Sequence, residues 1–134
     1  MHLIVCLDKR DGMLFNRRRQ SSDRLLRQRL LAMVGDRKLW MNSYSARQFE
    51  EGASITVEEA FLELAGEEDV CFVENVVVTP YADRVKSITV YRWDKVYPAD
   101  TVFPWEGFSG FRLEQAVEFA GYSHPTITEE RYCR

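Results

Sequence analysis

Four short apolar runs, spaced along the chain with helix-like segments between them, constrain the fold most: HLIVCL at 2–7, KLWM at 38–41, VCFV at 70–73 and SITVYRW at 87–93. Each has the length of a strand rather than a helix. HLIVCL and VCFV are apolar throughout, as strands covered on both faces of a sheet are, whereas SITVYRW alternates. After the first run, Asp8–Gly12 (DKRDG) supplies turn chemistry. Ser22 is then placed to cap a helix that Asp23 enters in its first turn, with Leu26, Leu30, Met33 and Val34 at helical spacing and Gly35 as terminator. A second helical segment is expected over 44–50. Thr56 and Glu59 form a capping-box pair for a helix running to about Ala65, and Thr79-Pro80 marks another helix start. Apolar segments at 111–113, 116–119 and Tyr132 close the chain. Strands alternating with helices predict an α/β sheet with parallel neighbours joined by right-handed crossovers. With 134 residues and no repeat, linker or low-complexity tract, residues 1–134 read as a single domain.

Composition narrows the function classes. Hydrophobic residues at 46% and charged residues at 29% are globular usage. The cysteines, Cys6, Cys71 and Cys133, are odd in number and far apart, and two lie in apolar runs, a pattern of buried thiols in a reducing compartment. No signal peptide precedes the first run and no apolar stretch is long enough to cross a bilayer, so a cytoplasmic location and no membrane partner are expected. His2 and His124 are the only histidines, and no His, Asp or Cys spacing makes a metal site. With His124 the only interior histidine, no base for a serine or cysteine nucleophile is legible. Residues 1–49 carry 11 Lys/Arg against 4 Asp/Glu, and residues 50–134 carry 7 against 17, so +7 and −10 sum to the net −3. Such halves complement each other in a folded domain, and the overall acidity argues against nucleic acid as a partner.

The order of segments resembles the dihydrofolate reductase family along nearly the whole chain. LIVCL followed by a loop and Gly-Met-Leu-Phe at 12–15 is similar to its first strand and active-site loop. LWM at 39–41 leading into Asn42-Ser43-Tyr44-Ser45 is similar to the strand and helix start that hold cofactor phosphates, and TVEEA at 56–60 before VCFV to a later helix and strand. The stretch Tyr81–Pro104 resembles the strand, acidic turn and Phe-Pro that close the family's sheet, and Ser123-His124 through Arg134 its final hairpin strand. The resemblance implies a mixed, mostly parallel sheet with flanking helices and an antiparallel last strand. It also implies an NAD(P)H-dependent reductase acting on a pterin-like or other flat heterocycle, with Asp23 matching the carboxylate that grips the ring. Several family features are replaced. The Gly-Gly pair that lets backbone approach a pyrophosphate is Val73-Glu74-Asn75 here, which adds bulk and a negative charge. The Gly-Arg/Lys-x-Thr phosphate sequence is Asn42-Ser43-Tyr44-Ser45, without a cation. Between Phe49 and Thr56 the chain is too short for the strand that contacts adenosine, and Tyr91 stands where the family has a threonine near its acid.

Asp23 is therefore the candidate catalytic residue, against the simpler reading that it complements the helix dipole. Candidate ligand contacts are Cys6 at the end of the first run, Phe15 and Tyr44 as stacking faces, and Arg17, Arg18 and Arg19 as bidentate donors to phosphate or carboxylate. Asn42, Glu74, Asn75 and Tyr91 complete the set. Two functions are expected to compete. One is a small-ligand or anion-binding domain with a degraded nicotinamide site, in which the missing glycines disfavour NADPH; the other is the reductase.

Overall fold

The computed structural model describes residues 1–134. A seven-stranded sheet has the order β5-β4-β6-β1-β7-β10-β9, built from β1 (His2–Leu7), β4 (Leu39–Met41), β5 (Thr56–Val57), β6 (Val70–Phe72), β7 (Ser87–Trp93), β9 (Arg112–Phe119) and β10 (Ile127–Cys133). The contacts from β5 through β7 are all parallel. Only β10 runs against its neighbours, from Ile127 opposite Trp93 to Cys133 opposite Ser87. The expected mostly parallel sheet with an antiparallel last strand is the one observed. A second, small antiparallel sheet joins β2 (Gly12–Phe15) to β3 (Arg18–Arg19) and β8 (Thr101–Val102).

Alternation along β1 divides the core. Leu3, Val5 and Leu7 face one side, with Ile88, Val90, Phe61, Phe103 and Phe108. Ile4 faces the other, against Leu26, Leu30 and Val34 of helix α1 (Arg24–Val34), with Tyr91, Trp93 and Ile127. Period-two strands thus meet a helix whose apolar residues recur every three to four positions.

Local boundaries differ from expectation in several places. Asp23, not Ser22, caps α1: its carboxylate accepts from Leu26 N at 3.1 Å. A carboxylate is the stronger acceptor at a helix start, where the macrodipole adds to the bond. The segment expected as helix over 44–50 contracts to α2 (Ser43–Ala46), capped by Asn42. Thr56 begins no helix. Thr56 and Val57 instead pair beside Trp40 and Met41 as β5, and only α3 (Phe61–Leu64) is helical beyond them. Glu59 serves no capping box, because its carboxylate accepts from Ser43 N across the chain at 2.9 Å. The short segment between Phe49 and Thr56 does lead to a strand, but one of two residues. Thr79–Arg84 is a 3₁₀ helix with proline in its first turn, and the two apolar tail segments merge into β9.

Candidate functional site

Ligand crevices of open α/β sheets lie outside the carboxyl ends of the strands. Here those ends deliver the β1–β2 turn, the start of α2 and the Val73–Asn75 segment, and each is built around a carboxylate with several protein donors.

At the end of β6, Glu74 is buried. Its carboxylate takes Arg19 Nε at 2.8 Å and Nη2 at 3.0 Å as a bidentate pair, Ser45 Oγ at 2.8 Å and Gln48 Nε2 at 3.1 Å. Arg19 also stacks over the Tyr44 ring, 4.3 Å to its centroid, while its backbone N–H donates to Tyr44 Oη at 2.8 Å. Burial opposes the Arg19 charge, but Glu74 more than offsets this and holds the guanidinium above its ordinary value. Asn42 accepts from Ser45 N at 3.1 Å and donates to Asn75 Oδ1 at 2.8 Å. The α2 start therefore faces the carboxylates of Glu59 and Glu74 and the Asn42 cap, where a phosphate would need free N–H groups.

Asp23 is equally committed. Oδ1 accepts from Leu26 N and from Tyr122 N, both at 3.1 Å; Oδ2 accepts from Ser123 N and His124 Nδ1, both at 2.9 Å, and from Ser123 Oγ at 3.2 Å. Burial alone would raise the carboxyl, but the bonds from His124 and the three backbone N–H groups hold it far below the usual carboxylate range. The loop before β10 lies directly on it. A Cβ on Gly121 would come within 2.7 Å of Asp23 Oδ2 and 2.8 Å of His124 O, so only glycine lets the loop pass so close. The Asp23 side chain is 0% exposed and offers no surface to a heterocycle. Tyr91 also leaves the candidate site: it is buried on the α1 side of the sheet, donating to Glu129 Oε1 at 2.8 Å beside the Arg29–Glu129 pair.

An open groove of about 480 Å³ remains, lined by Phe15, Asn16, Arg18, Arg19, Gln20, Tyr97 and Pro98. Asp8 supports its floor. Fully buried, it accepts from Arg10 N and Gly12 N on the β1–β2 turn and from Gln20 Nε2 and Tyr97 N, both at 3.0 Å. Asn16 and Arg17, at φ 52° and 63°, form the two-residue turn between β2 and β3. Both residues left-handed is the geometry that matches strand twist in a tight hairpin. The turn separates the three arginines. Arg19 is bound to Glu74, Arg17 sits at the tip, and Arg18 lines the groove with no hydrogen bond or ion pair from its side chain. Phe15 is 44% exposed on the same wall. Gln20, on the same wall, keeps its Oε1 buried without a hydrogen-bond partner.

Cys6 lines a narrow crevice beside the groove with Arg19, Ser21, Glu74 and Trp93, and burial pushes its thiol well above the usual range. Ser21 Oγ lies 2.8 Å from His124 Nε2, and the His124 ring stacks on Trp93 at 4.4 Å between centroids. Ser21 and His124 are 103 positions apart in sequence, and the fold brings them within hydrogen-bond distance. Ser21, His124, Gln20 and Tyr97 were missed because no local spacing relates them. No group of three or more His, Cys, Asp or Glu side chains is placed to hold a metal ion, and no helix is long and apolar enough to cross a membrane.

Strand order, the antiparallel β10 and the crevice at the carboxyl ends define an α/β protein with the dihydrofolate reductase-like fold. No protein-family model matches the chain, and no curated protein matches it in sequence. Among solved structures it is similar to the dihydrofolate reductase from Enterococcus faecalis complexed with NADP(H) and RAB-propyl, at TM-score 0.69 and 11% identity, over 99% of this chain and 95% of that one.

Proposed function

We propose that this chain is a small-ligand-binding domain that has kept the dihydrofolate reductase-like fold without its dinucleotide site, and that its ligand is flat and anionic. The groove beside the β2–β3 hairpin takes it, with Phe15 as the stacking face and Arg18 as the cation. The observation that carries this reading is the Glu74 carboxylate, held by Arg19, Ser45 and Gln48 where the fold would otherwise present donors to a phosphate. The commitment of Asp23 to five donors argues the same way against a pterin-like substrate.

Melting temperature followed during titration tests it. A ligand at 100-fold its dissociation constant stabilises by about 2.7 kcal/mol, which for a chain of this size is a rise of roughly 10 °C. NADPH, NADH and folates are expected to give no rise. Aromatic carboxylates and phosphates are expected to give one that Arg18→Ala and Phe15→Ala each abolish. A rise with either dinucleotide would restore the reductase reading.

A further inference from the structure

Ser21, His124 and Asp23 stand in one hydrogen-bonded line that the proposed ligand groove does not require. An ionised carboxylate only accepts, so His124 Nδ1 carries the proton in its 2.9 Å bond to Asp23 Oδ2. Whenever the ring carries only that proton, its lone pair is on Nε2, 2.8 Å from Ser21 Oγ and placed to take the serine hydroxyl hydrogen. The ring is fixed on every side. Trp93 stacks beneath it, Tyr97 Oη lies 3.4 Å from Nε2, and the imidazole is only 7% exposed. Asp23 is held in turn by backbone N–H groups of Leu26, Tyr122 and Ser123, so the orienting carboxylate is itself oriented. At the outer end, Ser21 is partly exposed and lines a crevice of only about 10 Å³, which shares Arg19 and Gln20 with the larger groove. The peptide N–H groups of Ser21 and Ser22 make no hydrogen bond within the chain and are uncommitted donors beside the hydroxyl.

We infer that Ser21 is a nucleophile activated by His124, with Asp23 as the positioning residue, and that the centre hydrolyses small carboxylic esters. Nucleophile, base and orienter within hydrogen-bond reach define such a centre by geometry rather than by chain order. Ser21 Oγ attacks the ester carbonyl carbon as its proton passes to His124 Nε2, and the carbonyl oxygen takes the electron pair. Collapse of that adduct breaks the carbon–oxygen bond, and the alcohol leaves with the proton from His124. Water then attacks the acyl-serine, giving its proton to Nε2; the carboxylic acid departs and Ser21 recovers its hydrogen. The choice of a carboxylate-bearing ester rests on the groove reading, through Arg18, whereas the triad itself does not.

The two are separable by experiment. Full-length chain is incubated with an uncharged alkyl fluorophosphonate and mapped by peptide mass spectrometry. One adduct, on Ser21, is expected; heat-denatured chain and Ser21→Ala should stay unlabelled, and His124→Gln should label at least ~100-fold more slowly. An unlabelled Ser21 in the folded, unaltered chain overturns the inference without any variant having to fold, as does equal labelling before and after denaturation. p-Nitrophenyl hemisuccinate and p-nitrophenyl acetate then read the substrate class: a preference for the first that Arg18→Ala removes supports it. Labelling of Ser21 with no such preference upholds the triad and removes the anionic groove.

Discussion

Asp23→Ala is expected to destabilise the protein by about 3–5 kcal/mol, the cost of removing one member of a buried charged network and leaving its donors unpaired. Leu26 N, Tyr122 N, Ser123 N and His124 Nδ1 lose their acceptor together, so the α1 cap and the loop before β10 fail at once. Thermal or urea denaturation at neutral pH checks this; a loss below ~1 kcal/mol, the ordinary value of a single cap, would mean that Asp23 holds only the helix. The pH dependence has a definite sign. In the folded chain the carboxyl stays ionised far below its ordinary value, whereas in the unfolded chain it protonates near pH ~3.9. Its contribution is therefore fully present above that point and is lost as the pH falls from there toward the folded value. The gap between wild type and Asp23→Ala should be widest near neutrality and narrow in acid.

Glu74→Ala is expected to act in two directions. Stability falls by about 2–3 kcal/mol, because a partly buried Arg19 and the Ser45 and Gln48 donors lose their common acceptor. At the same time the guanidinium, with the side chains that held the carboxylate, becomes free to hold an outside anion. Calorimetric titration with pyrophosphate should show affinity at least ~10-fold above wild type, where an external anion competes with a tethered carboxylate at an effective concentration in the mM range. Glu74→Gln keeps a hydrogen-bonding side chain without the charge and should fall between the two. A variant that loses stability without gaining pyrophosphate affinity would show that Arg19 closes over the space once its partner is gone.

The sheet was legible because its evidence is local. HLIVCL, LWM, VCFV and SITVYRW each carry their strand signal within a few residues, and their order matches the observed β1, β4, β6 and β7. Thr56-Val57 was not legible: its capping-box letters fit a helix start, but the free edge of β4 offered backbone partners that no local rule counts. The arginine triplet was legible as a cationic run, not as three different fates, because the Asn16-Arg17 turn decides which guanidinium faces the groove and which faces Glu74. Bulk and charge at Val73-Glu74-Asn75 were plain in the letters, and the four bonds that lock Glu74 in place came only with the fold. Asp23 was singled out from the sequence, but its contacts were not legible there. One of its partners is a histidine 101 positions away on the returning loop.

The stacking of His124 on Trp93 gives the protein an optical reporter. Three tryptophans emit, but only the indole of Trp93 lies flat against a ring carried by the 121–124 loop. While that loop is seated the indole is shielded from solvent; if the loop lifts, water reaches it and its fluorescence moves to longer wavelength. Whether the loop stays closed as molecules enter the groove can thus be read from light, without attaching a dye.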